Sequence, residues 1–364
     1  MSDVDLPGRL GDPARSLATD PRADPRLVAA LAPFGMDGLG DPPPVTPASP
    51  REELLAFCAA AEAGFEAVFA ALYEGLDPID GVESETLTVP GGDGNEIKLY
   101  VHRPVAHEGP LACVYHIHGG GMVLLEGAGP AYVRSRDELA AAGLVVVGVE
   151  YRNGGGTLGP YPYPAGRDDC VAGLRWILDR REQLGVSHVV VSGESGGGNL
   201  TIATVLEAKR QGWVDEIAGV YAQCPYISGT WDAPPPALVS QHENDGYFLR
   251  CDLMAVLAEV YDPGGAHATD PFCWPYHATV EDVAGVPPFV VSVNELDPLR
   301  DEGLAFARTL AAAGVSVVSR TVNATSHAGD LLFPGALPDV HASSVRDVAG
   351  FVRAVASSPS RVSS

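Results

Sequence analysis

Lysine is nearly absent from this 364-residue chain, which has only Lys98 and Lys209 among its 23 basic residues. The 47 Asp and Glu residues outnumber the basic ones, so the formal net charge is −24 at pH 7. Nucleic acids and anionic membranes are bound through basic surfaces, and a surface of this sign repels both. We therefore expect neither of them as a partner.

The chain also lacks patterns for export, membrane insertion and metal binding. Its first residues show no basic start followed by an apolar stretch, and no apolar run looks long enough to span a bilayer. The six cysteines form no C-x-x-C pair, so buried free thiols in a reducing cytoplasm are expected. His116 and His118 have no cysteine or carboxylate nearby at ligand spacing, so no metal site is predicted.

What the sequence has is a regular alternation of strand-like and helix-like segments from Leu111 onward. The strand-like runs are continuously apolar, as in "LACVYHI" and "LVVVGVEY", which is typical of parallel strands buried on both faces. Before them, two alternating segments flank "GGDGN", a hairpin signature. We predict an α/β fold, with a mostly parallel sheet of about eight strands and helices on both faces.

Two parts of the chain depart from this alternation. Residues 1–80 begin as an irregular arm rich in Pro, Asp and Gly and continue into a long helix over 51–76. Residues 226–286 form an insertion with one convincing helix, and insertions of this length are usually functional lids. We predict that both parts form a cap over a catalytic domain of residues 81–225 and 287–364.

The segment "VVVSGESGGGNL", from Val189 to Leu200, places Ser195 in a G-x-S-x-G pattern. A strand precedes the serine and a helix follows it, which is the setting of a nucleophile elbow. There the helix N-terminus favours developing negative charge. The alternative is a glycine-rich turn without chemistry.

A serine hydroxyl needs a base, and the base needs an orienting acid. Chain order in such folds predicts the acid after a later strand and the histidine after the last one. Asp297 and His327 occupy those places. Glu295, Asp301 and Glu302 are alternatives for the acid, and we favour Asp297 because it directly follows the strand.

A second glycine cluster, "HGGGM" at His118–Met122, follows an early strand. Backbone N–H groups of Gly120, Gly121 and Gly196 could stabilise an oxyanion, since no side chain blocks approach to them. His118 is expected to brace this loop. Dinucleotide binding is the competing interpretation, but the third glycine of G-x-G-x-x-G falls on Leu124.

Four motifs together resemble the hormone-sensitive lipase family of α/β-hydrolases, and among them bacterial carboxylesterases of the brefeldin A esterase type. They are "HGGGM", "GESGGGN" at Gly193–Asn199, "DPLRDEG" at Asp297–Gly303 and "SHAG" at Ser326–Gly329. The resemblance implies an α/β-hydrolase fold with a cap, a Ser195–His327–Asp297 triad and cofactor-free hydrolysis of short-chain esters. It also implies a homodimer through the edge formed by the last strand. Glu194 and Gly196 depart from the commoner Asp and Ala of the family elbow.

We therefore predict a cytoplasmic serine carboxylesterase that acts on short-chain small-molecule esters without a cofactor, and the sequence does not separate lactones from open-chain esters. A non-catalytic small-molecule-binding protein on the same scaffold and an acyltransferase stay open as alternatives. Five large side chains are candidates to line the substrate pocket: Met122, Tyr226, Trp231, Phe248 and Trp274.

Overall fold

An eight-stranded sheet organises the protein, which we describe from a computed structural model over residues 6–356. The strand order is β1-β2-β4-β3-β5-β6-β7-β8. The pairs β1/β2 and β2/β4 are antiparallel, and all others are parallel. The strands are β1 (Val82–Pro90), β2 (Glu96–Pro104), β3 (Leu111–Ile117), β4 (Val145–Glu150), β5 (Val186–Glu194), β6 (Gly219–Gln223), β7 (Phe289–Asn294) and β8 (Val317–Val322). The predicted fold class is confirmed.

Twelve α-helices among the described residues accompany the sheet. They are α1 (Gly8–Gly11), α2 (Pro25–Leu31), α3 (Arg51–Tyr73), α4 (Pro130–Ala141), α5 (Ala165–Leu178), α6 (Gly196–Arg210), α7 (Ser240–Glu243), α8 (Cys251–Tyr261), α9 (Val280–Val283), α10 (Arg300–Ala312), α11 (Gly329–Leu332) and α12 (Pro338–Ala356).

The sheet has one apolar core on each face, because side chains alternate along its strands. Val114, Val146 and Val190 pack in one core with Leu139 of α4 and Val352 of α12. Their strand neighbours point to the opposite face and pack in the larger core with α5, α6 and α10. Central strands buried on both faces explain why their sequences are continuously apolar.

The N-terminal arm is more regular than the sequence suggested, since it contains α2. Asp24 caps this helix by accepting a hydrogen bond from the Arg26 N–H at 2.8 Å, and Pro25 occupies the first helical position. Its Leu27 and Leu31 are fully buried. Capping and burial together stabilise a helix of only seven residues.

Helix α3 corrects the expectation that no apolar run could span a bilayer. By length and composition it could cross a membrane, with a mean hydropathy of 1.6 over an 18-residue window. In this fold it packs on the body through a buried carboxylate. Glu62 accepts hydrogen bonds from the N–H of Leu125 at 2.6 Å and from the N–H of Thr157 at 2.7 Å.

Strand β8 is an edge strand of the sheet, and its Val318 is 60% exposed. Edge strands present unpaired backbone groups to which another strand can pair. The homodimer expected through this edge stays a prediction.

Candidate active site

Ser195 lies at a sharp corner between β5 and α6. Its φ is 57°, a left-handed conformation that is rare for a residue with a side chain. A Cβ on Gly193 would lie 2.5 Å from the Ile117 carbonyl oxygen, and one on Gly197 only 2.0 Å from it. Glycine at both positions therefore allows α6 to approach β3, which places the serine above the carboxyl ends of the central strands.

His327 and Asp297 meet across the loops that follow β8 and β7. His327 Nδ1 is 2.8 Å from Asp297 Oδ2, and the N–H of Leu299 donates to Asp297 Oδ1 at 2.9 Å. Asp297 is fully buried. Its backbone carbonyl accepts a hydrogen bond from Asn244 Nδ2 at 3.2 Å, which connects the acid loop to the insertion.

The other carboxylates considered for the acid bind elsewhere. Glu295 accepts from the Ala324 N–H, Asp301 from the Ser240 N–H and Glu302 from the Ile227 N–H. Asp297 is therefore the one of the four that contacts His327.

The second glycine cluster lies directly against the elbow. A Cβ on Gly196 would be 2.7 Å from the Gly121 nitrogen and 2.5 Å from the Met122 nitrogen. Gly120 has a φ of 98° and Gly121 a φ of 63°, so both favour glycine. Over residues 6–356, the N–H groups of Gly120, Gly121 and Gly196 have no acceptor. Three free donors thus converge beside Ser195.

Glu194 fixes this loop, a role that the sequence analysis missed. Its Oε1 accepts the Gly119 N–H at 2.6 Å, and its Oε2 is 3.3 Å from His116 Nε2. The position of this carboxylate directly before Ser195 was the feature of the sequence that could have indicated the role. Through this hydrogen bond it joins the elbow directly to the glycine cluster.

His118 braces the same loop from the other side, in the way the sequence suggested. Its Nδ1 is 3.0 Å from the Gly119 carbonyl oxygen, and its ring stacks on Tyr151 with centroids 4.2 Å apart. Tyr151 in turn donates its hydroxyl hydrogen to the His118 carbonyl at 2.8 Å. These contacts hold the backbone that carries Gly120 and Gly121.

Ser195, His327, Gly120 and Gly121 line one pocket with a cavity volume of about 70 Å³. Its walls are mostly apolar and come from both segments predicted to form a cap. Helix α3 supplies Phe65 and Phe69, and the insertion supplies Phe248, Leu249, Leu253, Met254 and Leu257. The pocket therefore presents reactive groups at one end of an apolar cleft.

Of the five side chains expected to line the pocket, the structure places only Phe248 there. Tyr226, Trp231 and Trp274 form an aromatic cluster in the core, with ring centroids 5.3 and 5.5 Å from Tyr226. Met122, at the end of the glycine cluster, is 1% exposed. All four belong to the larger core, which also contains strand residues from one face of the sheet. Phe65 and Phe69 of α3 do line the pocket. Their spacing of four residues places them on one face of the helix, and this pattern could have identified them from the sequence.

All six cysteines are buried free thiols, which confirms that part of the prediction. The cytoplasmic location stays a prediction. Ligand atoms of Cys224, Asp297 and His327 lie within 4.8 Å of one another, a spacing that could hold a metal ion. Asp297 and His327 are hydrogen-bonded to each other, so a cation there would compete with that bond. The absence of a metal site stays a prediction.

A mostly parallel sheet with a strained serine at a strand-to-helix corner defines the class of α/β-hydrolases. The chain matches the α/β-hydrolase fold family over residues 114–330, more than half of its length. It belongs to that family, in the branch of hormone-sensitive lipase.

Two solved structures are closely similar. Brefeldin A esterase, described as a bacterial homologue of human hormone-sensitive lipase, is 48% identical with a TM-score of 0.93, covering 97% of this chain and 99% of its own. Esterase Est22 is 37% identical with a TM-score of 0.83, covering 93% of this chain and 99% of its own.

Curated relatives agree with that placement. Carboxylesterase NlhH of Mycobacterium tuberculosis is 33% identical over 240 residues, which are 62% of this chain and 69% of that protein. Ethyl acetate hydrolase of Pseudomonas putida is 29% identical over 275 residues, 72% of this chain and 80% of that protein. The chain is an ester hydrolase of the serine type.

Proposed function

We propose that this protein is a carboxylesterase that hydrolyses short-chain small-molecule esters through an acyl-enzyme on Ser195. One observation carries the proposal: a single pocket is lined by Ser195, by Gly120 and Gly121 of the glycine loop, and by His327, whose ring is hydrogen-bonded to the buried Asp297 behind it. Nucleophile, base and oxyanion donors are the three parts that acyl transfer requires.

His327 takes the hydroxyl proton of Ser195 as the oxygen attacks the ester carbonyl. Asp297 holds Nδ1–H, which leaves Nε2 as the basic nitrogen and stabilises the imidazolium that forms. The N–H groups of Gly120, Gly121 and Gly196 donate to the oxyanion. His327 then protonates the leaving alcohol, and water hydrolyses the acyl-enzyme in the reverse sequence of proton transfers.

The walls of the pocket support a small and apolar substrate. A cavity of about 70 Å³ takes a short acyl or alcohol group, and its leucine and phenylalanine side chains favour hydrocarbon over charge. Because α3 and the insertion both supply these side chains, we propose that residues 1–80 and 226–286 act together as the cap that selects the substrate. The family relatives include an ethyl acetate hydrolase, which agrees with a short substrate.

The test is hydrolysis of p-nitrophenyl esters from acetate to octanoate, with a γ-lactone measured beside them. Ser195→Ala should abolish turnover, whereas Ser187→Ala, on the exposed start of β5, should keep it. The rate should fall as the acyl chain outgrows the pocket. Equal turnover by wild type and Ser195→Ala would contradict the mechanism.

Two other results would point to the alternatives. Binding of esters without turnover would favour a non-catalytic protein on this scaffold. Formation of a new ester from an added alcohol at low concentration, faster than hydrolysis, would favour an acyltransferase.

A further inference from the structure

A second cavity lies beside the catalytic pocket. Tyr132, Glu194 and Leu332 line both spaces, so they form the wall between them. The second cavity, which we call the polar chamber, also borders the tips of β5 and β6, next to the elbow. Through β6 it is coupled to the nucleophile, because the Ser195 N–H donates to the Gln223 carbonyl oxygen at 2.9 Å.

The polar chamber differs from the catalytic pocket in its chemistry. Its lining includes His116, Ser192 and Gln223, which are between 2% and 8% exposed. His116 Nδ1 is buried without a hydrogen-bond partner. The Ser192 hydroxyl and the Gln223 amide have no side-chain hydrogen bond within the part of the chain that the structure describes. Apolar side chains, among them Leu139, Val345 and Val348, complete the lining of the polar chamber. In the catalytic pocket the walls around Ser195 and His327 are formed mostly by leucine and phenylalanine side chains.

Buried polar groups without protein partners are usually satisfied by water. The polar chamber has a volume of about 40 Å³, and one bound water needs ~10–15 Å³ by this measure, so about three waters fit. The His116 ring, the Ser192 hydroxyl and the Gln223 amide can each hydrogen-bond to water. A cation would need a free carboxylate, and the carboxylate in the lining, Glu194, already accepts the Gly119 N–H.

An apolar pocket filled by an acyl group excludes water, yet deacylation consumes one water per turnover. We propose that the polar chamber is the internal source of the water that hydrolyses the acyl-enzyme. This inference rests on the proposed function. The water passes the wall at Tyr132 and Glu194, its oxygen bonds to the acyl carbon, and its proton goes to His327. The Ser195 ester bond then breaks, His327 returns the proton to the serine oxygen, and a carboxylic acid leaves.

The test separates the two half-reactions in variants of the polar chamber. Ser192→Val fills the chamber from β5, and Gln223→Leu removes the amide from β6 at nearly constant volume. Thr204→Val is the control, because it deletes a buried hydroxyl without a partner on α6, outside the chamber. With p-nitrophenyl butyrate, the burst of p-nitrophenol reports acylation and the steady state reports deacylation.

We expect both chamber variants to show a burst followed by a steady-state rate on the order of tenfold below that of wild type, as misplaced reactants cause. The control should behave like wild type. Added hydroxylamine, which enters from outside, should restore the steady-state rate of the variants and give the hydroxamate. Thermal unfolding checks the fold, and if Ser192→Val does not fold, Gln223→Leu carries the same test.

A steady-state rate in Gln223→Leu within about twofold of wild type, without a burst, would overturn the inference, because water would then arrive through the substrate entrance. Failure of the proposed function looks different. In that case wild type and the Thr204→Val control release no p-nitrophenol at all, and the inference falls with it.

Discussion

Glu302 should make the stability of this protein fall as the pH rises. The side chain is fully buried, and burial raises the pKa of its carboxyl from 4.5 to about 8. The Ile227 N–H donates to Oε1 at 2.7 Å, and Gln241 Nε2 lies 3.3 Å from Oε2. None of these partners is a cation, so hydrogen bonds only partly offset the desolvation of the charged form.

The sign follows from where each state releases the proton. The unfolded chain loses it near pH 4.5, whereas the folded chain keeps it until about pH 8. The stabilisation is therefore complete below pH 4.5 and is lost as the pH rises towards 8. Each unit in that window lowers the free energy of unfolding by ~1.4 kcal/mol. Between pH 5 and pH 8 the loss adds up to about 3.5 kcal/mol, less than three full units, because the folded carboxyl is itself half ionised near pH 8.

Glu302→Gln removes the titration and keeps an amide oxygen for the Ile227 N–H. At pH 5 we expect its free energy of unfolding within about 1 kcal/mol of wild type, since both side chains are neutral. At pH 8 the variant should be more stable by about 3 kcal/mol. Urea unfolding at half-unit pH steps measures the difference, and Glu83→Gln, on the exposed face of β1, is the matched control.

Parallel stability curves for wild type and Glu302→Gln between pH 5 and 8 would refute the reasoning. They would mean that Glu302 ionises in the folded state near its ordinary pKa, and hence that water or relaxation solvates it.

Three further predictions concern the site and its support. Asp297→Asn should lower kcat by roughly 10³- to 10⁴-fold with KM little changed, because the imidazole loses its orienting acceptor; steady-state kinetics measure this, and a loss of less than about tenfold would reject Asp297 as the acid. Glu194→Ala should lower kcat by on the order of 10²-fold, as removing an oxyanion donor does. Glu194→Gln should lower kcat less, because its amide oxygen can still accept the Gly119 N–H. An equal loss of kcat in both variants would show that the negative charge of Glu194 matters rather than this hydrogen bond. Burial lowers the pKa of His102, whose Nε2 accepts a hydrogen bond from Arg136 Nε at 3.0 Å. The free energy of unfolding of wild type should therefore fall as the pH drops below 6.5, and in denaturant unfolding this fall should be smaller for His102→Gln. The same pH dependence in both proteins would contradict this prediction.

The sequence predicted the fold well where pattern and environment agree. Strand β3 has the bounds that the sequence indicated, Leu111–Ile117, and α8 is the longest helix within residues 226–286, where the sequence indicated one helix. A continuous apolar run is sufficient to identify a buried strand, and helical periodicity between turn residues is sufficient to identify a helix. The arrangement of Asp297 and His327 was also predictable, because chain order fixes where they emerge from a parallel sheet.

The pocket wall and the support of the site could not be predicted in the same way. Tyr226 and Phe248 are both aromatic residues of the insertion, yet one enters the core and the other the pocket. Composition is the same for both uses, and only tertiary packing separates them. The Glu194–Gly119 bond likewise joins residues 75 positions apart, a pairing that no local pattern encodes.

Because Gly196 lies so close to Gly121, substitutions in the elbow and in the glycine loop depend on each other. In this protein a methyl group on Gly196 would lie 2.7 Å from the Gly121 nitrogen, whereas the commoner family elbow carries alanine at that place. Acceptance of alanine here would require the glycine loop to withdraw, and with it the donors it presents. If only one of the two segments is randomised, we expect most variants to be inactive, because the other segment cannot adjust. Libraries that randomise residues 118–122 and 193–199 together could include active variants with alanine at position 196.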